Sequence, residues 1–403
     1  MEIRPILSAM FRNKTGVVLV GLQIALTLAV VANAAFIIIN RVDLINRPKG
    51  IDSDNILVVH SYGFGPTYDH LQTVRRDLDT LRAIPGVVAA TSTSGIPMSG
   101  GGSQNAFGRT PEAAKTTTVS GNIYELNEQG VAALGVKLIE GRAFTKEEVQ
   151  YNPNSTNSDF APAVILTRDM ERAIFGDEPA LGKPIYDGLG QSAVVVGIIE
   201  DMLGAWVGFE APYRVLFTSR TASGPTGNYI VRTEPGRSNA LIPEIEKKLS
   251  ALNLPRAIAW VRPHSYFVEK SYRSDSRMIS YLSVIVALMI VITALGIVGL
   301  ASFQVSVRTK QIGTRRAVGA TRSDIIRYFM VENWLLTTGG VIAGAVFAFA
   351  FGHWLSSAYA LPRLDPMYVI SGTVLLLILG QLAVFIPARR AAAIPPAIAT
   401  RTV

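Results

Sequence analysis

Four stretches of this chain contain no Asp, Glu, Lys or Arg: residues 15–40, residues 278–307, an apolar body over about 334–355, and residues 367–387. A hydrocarbon layer about 30 Å thick is crossed by roughly 20 apolar residues in a helix, so each stretch is long enough to span a bilayer. The pattern predicts transmembrane helices over 15–40, 278–303, 334–356 and 367–387. Core helices of a large soluble protein are the competing reading, and four windows without a charge argue against it. For the first window a cleaved leader ending near Ala32, Asn33 and Ala34 competes as well. The apolar run continues through Phe36, Ile37, Ile38 and Ile39, which fits an uncleaved anchor.

Between the first two windows the periodicity changes. Residues 56–60 and 87–91 read as strands. Between them Leu71, Val74, Leu78 and Leu81 recur at three- and four-residue spacing, which lines one face of a helix. The same order returns with a strand at 229–232, a helix carrying Leu241, Ile245, Leu249 and Leu252, and a strand at 257–261. These two strand-helix-strand units flank an insertion over about 121–218, whose strand-like runs at 163–166, 192–199 and 214–217 are punctuated by Gly and Pro. It reads as a separate, mainly β subdomain. Residues 97–105, with Ser99, Gly100, Gly101, Gly102 and Ser103, read as a flexible surface loop, because the chain has no GxxxxGK[ST] phosphate-binding pattern. The expected fold class is an α-helical membrane bundle of four spans with a large α+β domain over 41–277.

Composition sharpens the topology. The chain is 49% hydrophobic and only 17% charged, against roughly 25% charged in soluble domains. Arg4, Arg12 and Lys14 precede span one; Arg308, Lys310, Arg315, Arg316, Arg322 and Arg327 follow span two; Arg389, Arg390 and Arg401 follow span four. Opposed only by Glu2, Asp324 and Glu332, they leave one face of the membrane at +9, whereas residues 41–277 hold 25 basic and 26 acidic side chains. The net charge of +8 therefore reports orientation and is not a nucleic-acid footprint. The N-terminal segment 1–14, the segment 304–333 and the tail 388–403 are expected in the cytoplasm, and 41–277 outside. Without a cysteine, the outer domain has no disulfide.

Candidate catalytic chemistry is sparse. His60, His70, His264 and His353 lack metal-ligand spacing, and no GxSxG nucleophile pattern occurs. No active site, metal or cofactor is expected on this chain. Small residues at intervals of four suggest helix-contact faces: Gly340, Gly344, Ala348 and Gly352 in span three, and Gly21, Ala25 and Ala29 in span one, with Asn33 next. The competing reading is that Gly and Ala are simply common in membrane helices. Polar groups in the spans reduce to Gln23, Thr27, Asn33, Thr293, His353 and Gln381, with no ionisable path of the kind carriers use. After span two, Thr321 and Asp324 make a capping-box pattern for an amphipathic helix with Ile325, Ile326, Phe329 and Met330 on one face. The basic residues just before it either anchor the segment to the membrane surface or contact a partner.

At these residues the chain resembles the FtsX-like permeases of the MacB type, in the type VII ABC superfamily, whose segment after span two reads R-x-x-E-I-G-I-R-R-A-x-G-A. The matches are Arg308, Ile312, Gly313, Arg315, Arg316, Ala317, Gly319 and Ala320, with Glu332 at the acidic position before span three. Gln311 and Thr314 depart from it. The tail Pro387-Ala388-Arg389-Arg390-Ala391-Ala392 is similar to the family's ending, although Ile394-Pro395-Pro396-Ala397-Ile398 follows it. In the outer domain, Leu134-Gly135-Val136, Glu140-Gly141-Arg142-Ala143-Phe144, Phe175-Gly176, Leu181-Gly182-Lys183-Pro184 and Val194-Val195-Val196-Gly197-Ile198 resemble the MacB periplasmic core.

The resemblance implies two porter-like strand-helix-strand units with an inserted β subdomain, in the inner membrane of a bacterium. It implies a permease that does not pass substrate between its own helices but couples ATP hydrolysis by a cytoplasmic ATP-binding cassette protein to movement of the outer domain. ATP and magnesium would belong to that partner, expected as a separate chain because only about 14 residues precede span one. Arg308, Lys310, Gln311, Ile312, Gly313, Arg315, Arg316, Gly319, Ala320 and Thr321 are the implied ATPase-coupling segment, with Ile312 seated in the partner. Further implied partners are membrane lipid, a second permease copy or paralogue, a periplasmic adaptor and an outer-membrane TolC-like duct. Export of a periplasmic substrate leads; control of cell-wall hydrolases and lipoprotein release are the alternatives.

The charge asymmetry makes a direct prediction. In cells whose outer membrane alone is permeabilised, a cysteine at Ser155 reacts with an impermeant thiol reagent and one at Thr402 does not. The reverse labelling would invert the topology.

Overall fold

The structure, a computed structural model, describes residues 14–116, 119–151, 160–221, 224–359 and 363–395. Arg4, Arg12, Arg401, the labelling sites Ser155 and Thr402, and the tail beyond Pro395 lie outside the described residues. The chain divides into two compact units: Arg47–Ser274, and the described residues on either side of it. The first helix, α1 (Lys14–Asn46), runs past the expected end at residue 40. A charge ends an apolar window without ending a helix, and Arg41 finds Asp275 at 3.1 Å within the same unit.

In the Arg47–Ser274 unit, β1 (Ile56–Gly63), α2 (His70–Arg82) and β2 (Val87–Thr93) come first. The side chain of Asp69 starts α2 by accepting from the Gln72 amide at 2.9 Å. A middle segment follows, made of β3 (Ser103–Gly108), α3 (Pro111–Thr116), β4 (Ser120–Leu126), α4 (Gly130–Leu134), β5 (Leu138–Gly141), β6 (Gln150–Tyr151), β7 (Ala163–Thr167), α5 (Arg168–Phe175), β8 (Pro184–Asp187), β9 (Ser192–Ile199) and β10 (Val215–Thr221). The unit closes with β11 (Thr226–Thr233), α6 (Ser238–Ala251) and β12 (Arg256–Pro263).

Strands β12, β1, β11 and β2 pair antiparallel in that order. Leu57 and Val59 of β1 face α2 and α6, where Val74, Leu78, Leu81, Leu241, Ile245 and Leu249 close a core. Within it the buried Asp77 of α2 takes two bonds from Arg256 of β12, at 3.0 and 2.5 Å, and one from the Tyr229 hydroxyl at 2.8 Å. Arg256 also donates to the Leu249 carbonyl of α6 at 3.0 Å. One ion pair thus ties two helices to two strands. Burial pushes the Asp77 carboxyl up, and the bonds from Arg256 and Tyr229 oppose that shift.

The middle segment makes a second sheet that closes on itself: β4 pairs β3, β3 pairs β8, β8 pairs β9, β9 pairs β7, β7 pairs β10, and β10 returns to β4. This ring starts at Ser103, upstream of residue 121, where the inserted β subdomain was expected to begin. Its link to the antiparallel sheet is a single bridge, Thr93 to Leu126. Nor is it independent, because Tyr124, Ile165, Val215 and Phe217 of the ring share one core with Ile56, Val58 and Ile230 of the sheet and Val131 and Leu134 of α4. The 97–105 loop is only half a surface loop. Met98 is fully buried at φ +53°, its amide donating to the Gly204 carbonyl at 2.9 Å and its own carbonyl accepting from the Ser271 hydroxyl at 2.5 Å. The buried His264 donates from Nε2 to the Pro97 carbonyl at 2.9 Å and accepts at Nδ1 from Ser53 at 2.8 Å. From Gly100 to Gln104 the loop is exposed.

The remaining helices are α7 (His264–Val307), α8 (Thr309–Ala317), α9 (Arg322–Tyr359) and α10 (Pro366–Ala392). Among the described residues, α1, α7, α9 and α10 are long and apolar enough to cross a membrane. Half of the α1 span is buried but only 17% of the α7 span, so α1 is central and α7 peripheral. Gly340 and Gly344 of α9 lie against α1: a Cβ on Gly340 would come within 2.9 Å of Ile24, and one on Gly344 within 2.8 Å of the Ala25 carbonyl oxygen. Asn33 donates to the Ala348 carbonyl at 3.1 Å, which joins the same two helices further along. The Thr27 and Thr293 hydroxyls meet at 2.7 Å and Gln23 donates to the Ile292 carbonyl at 2.8 Å, so polar side chains attach α7 to α1.

The buried ion pair sets a stability test. Arg256→Met leaves Asp77 buried without its cation and is expected to cost about 3–5 kcal/mol in urea unfolding of the full chain in detergent. Adding Asp77→Leu should restore much of that loss. A single-mutant cost below about 1 kcal/mol contradicts the role given to the pair.

Candidate functional site

The basic segment after α7 is mostly helix. Arg308 is a single-residue break, α8 occupies Thr309–Ala317, and Gly319 at φ +101° turns the chain into α9. That conformation strains any residue with a Cβ, so Gly319 is required by the turn. The Thr321 hydroxyl donates to Asp324 at 2.6 Å and accepts from the Asp324 amide at 3.2 Å, closing the start of α9.

Helix α8 is seated by one apolar residue and two arginines. Ile312 is buried with Ile325 and Phe329 of α9 and Ala388, Ala391 and Ala392 of α10. Gly313 is buried beside it. At one end Arg308 pairs with Glu332 at 2.8 Å and donates to the Tyr328 hydroxyl at 3.3 Å. At the other, Arg316 donates at 3.0 Å to the Ala392 carbonyl, which α10 leaves open at its C-terminus, and at 2.8 Å to the Ile394 carbonyl just beyond it.

The expected coupling residues therefore divide. Arg308, Ile312, Gly313 and Arg316 hold α8 to this chain's own helices, whereas Lys310, Gln311, Arg315, Gly319 and Thr321 are exposed and Ala320 is half-buried. Arg315 lies over the Tyr328 ring at 4.9 Å. Ile312 is not free to enter a partner's groove, which corrects the expectation for that residue. An apolar side chain left outside is Val318, 83% exposed between the basic residues and the turn. Its signal in the sequence is weak, being one valine just before a glycine.

Sequence reasoning also missed buried polar groups in α9. Asn333, Thr337 and Thr338 of α9, like Gln381 of α10, each bury a polar atom without a partner, and Asn333 and Thr337 lie against Gly380 of α10. A Cβ on Gly380 would lie 2.9 Å from the Thr337 hydroxyl. Of these, only Gln381 stands out by composition. Threonine passes as a hydropathy-neutral residue.

On the family matches, the polytopic membrane unit, the β-rich unit between its first two spans and the basic helix seated on α9 and α10 make up an ABC transporter permease. Two family models match: the MacB-like periplasmic core domain over residues 23–249, and the FtsX-like permease C-terminal region over residues 283–396. The chain belongs to the MacB-type, FtsX-like permeases, with a periplasmic domain between its first two spans. It is similar to the macrolide export ATP-binding/permease protein MacB of Chromobacterium violaceum, 25% identical over 78% of this chain and 48% of that protein. The similarly named protein of Yersinia pestis is 23% identical over 94% and 56%. The chain thus spans about half the length of the curated relatives it matches. The periplasmic region of MacB from Actinobacillus actinomycetemcomitans aligns with 57% of this chain and 97% of its own, at 18% identity and a TM-score of 0.36.

Burying an Ile side chain is worth roughly 1.5–3 kcal/mol, and a carboxylate in its place adds a desolvation cost. Ile312→Asp is therefore expected to lower the melting temperature of the full chain in nanodiscs, and Lys310→Ala to leave it unchanged. A wild-type melting curve from Ile312→Asp would show that this cluster does not seat α8.

Proposed function

We propose that this chain couples ATP hydrolysis by a cytoplasmic ATP-binding cassette protein to movement of its periplasmic domain, and so exports a periplasmic substrate across the envelope from the inner membrane. The observation that carries this reading is the seating of α8. A helix fixed at three points to α9 and α10 passes a push directly to two spans, while its exposed edge of Lys310, Gln311, Arg315 and Val318 is free to meet a partner. The names of the relatives, which join an ATP-binding to a permease function, support the partnership.

In this reading the chain binds no nucleotide itself; ATP and magnesium sit on the cassette protein. The little-covered α7 span is where membrane lipid or a second permease copy packs, and a periplasmic adaptor and an outer-membrane TolC-like duct receive the substrate. Exposed ion pairs are worth about 0–1 kcal/mol each, less than one buried apolar side chain, so Lys310 and Arg315 attract the partner and Val318 holds it.

Val318→Asp should reduce retention of the co-expressed cassette protein at least tenfold, with the melting temperature unchanged. Permease shown by mass spectrometry to be free of that protein should hydrolyse no ATP. Full retention by Val318→Asp would sink the docking edge, and turnover by the cassette-free permease would sink the division of labour.

A further inference from the structure

The ring in the periplasmic domain has a second kind of interior. Along three of its strands, the residues that share a face with the core change from apolar to polar in the same direction. On β10 the order is Leu216, Thr218, Arg220; on β4 it is Ile123 then Glu125; on β3, read backwards, it is Phe107, Asn105, Ser103. The register sets Leu216 beside Ile123 and Thr218 beside Glu125, so on β10 and β4 the change occurs at one level; on β3 it comes earlier, with Ser103 already beside Ile123. Phe107 and Leu216 belong to the ring core, together with Met170, Ile174 and Phe175 of α5. Helix α5 follows the end of β7 that pairs near Leu216, whereas Thr218 pairs with Val164 near the start of β7. The polar level is thus at the end away from α5, and it opens into a cavity of about 230 Å³ lined by Ser103, Asn105, Glu125, Thr218 and Arg220, with Phe160 as an apolar wall.

Two polar groups in this mouth have no partner. Thr218 is 5% exposed and its hydroxyl makes no hydrogen bond. The buried Nε of Arg220 is likewise unmatched, and its guanidinium stands 3.6 Å from the Glu125 carboxylate, too long for a hydrogen bond. Asp187, also in the lining, is 4% exposed and accepts from the Leu189 and Gln191 amides at 3.0 and 2.8 Å. The lining thus holds two carboxylates and one guanidinium, leaving the mouth one positive charge short, and two unused donors call for an acceptor. Burial pushes the Glu125 carboxyl up despite Arg220, as expected of an anion that lacks full compensation.

We propose that the mouth of this ring binds a small zwitterion of the amino-acid or dipeptide class. Its ammonium group lies against Glu125 and Asp187, and its carbonyl or carboxylate accepts from the Thr218 hydroxyl and Arg220 Nε. The mouths of β-barrels are common ligand sites, and a volume below the roughly 300–1,000 Å³ of drug-sized pockets fits a ligand of this size. The site is independent of the coupling segment and stands or falls separately from it.

The test uses the full chain in nanodiscs and saturation-transfer NMR with two probes, L-alanyl-L-alanine and its N-acetyl form, which lacks the ammonium. The expected result is saturable binding of the free dipeptide, at least tenfold weaker binding of the acetylated one, and at least tenfold loss of dipeptide binding in Glu125→Gln. Thr218→Val is the variant that separates binding from folding. It removes a buried hydroxyl that has no partner, so the melting temperature should hold or rise while dipeptide binding falls. No saturable binding to folded wild type, equal binding of the two probes, or wild-type affinity in Thr218→Val would each overturn the proposal.

Discussion

Backbone-to-backbone contact between α1 and α9 is the constraint on which the membrane unit depends. In lipid no hydrophobic drive pulls apolar helices together, so attraction must come from close packing and from hydrogen bonds that hydrocarbon cannot replace. Gly344 against the Ala25 carbonyl and Gly340 against Ile24 supply the first, and Asn33 on the Ala348 carbonyl supplies the second. With α1 held in the middle, the Gln23 and Thr27 bonds can attach α7, and the ends of α9 and α10 are brought close enough for Ile312 to wedge α8 between them. A side chain larger than hydrogen at Gly344 would separate α1 from α9 before it touched any partner.

The periplasmic domain is organised differently, around a core that belongs to neither of its two sheets. Ile56 and Ile230 come from the antiparallel sheet, Tyr124 and Phe217 from the ring, and Leu134 from the short helix between them. Strand pairing across the boundary amounts to one bridge, supplemented by the Asn127 amide on the Thr91 hydroxyl at 3.3 Å and the Glu125 amide on the Ser94 hydroxyl at 3.0 Å, so apolar burial rather than a ladder holds the two sheets together. Such contacts are non-directional and can slip in small steps, whereas a ladder breaks bond by bond.

Much of this was legible in the sequence because periodicity reports burial. The four spans, the α2 stripe of Val74, Leu78 and Leu81, and the α6 stripe of Leu241, Ile245 and Leu249 all show it. The ends of the spans were not legible, since Arg41 and Arg277 are charges that a helix carries without breaking. The anchored half of the 97–105 loop was hidden because Gly204, His264 and Ser271, which hold it, lie far away in the chain. Closure of the ring was hidden for the same reason, as β4 and β10 are separated by most of the middle segment. In the coupling segment the error had another cause. A family-like motif drew attention to Ile312 as a contact, although one isoleucine among basic and polar neighbours on a short helix is the residue that turns inward.

The pairing of β1 with β11 and β12 has a kinetic side. Ile56 faces Arg232 and Leu57 faces Pro263, so a strand near the start of the domain completes its ladders only with residues near its end. Every ring strand lies between Ser103 and Thr221 and needs nothing from outside that interval to pair. Loop closure is costlier and slower for distant partners. A chain emerging N-terminus first therefore presents Ile56, Leu57, Val58 and Val59, all fully buried in the finished domain, as an unpaired apolar strand for as long as it takes to deliver the residues up to Pro263. The order of elements thus makes the earliest part of the periplasmic domain the last to be sheltered, and the interval before β12 arrives is its most aggregation-prone moment.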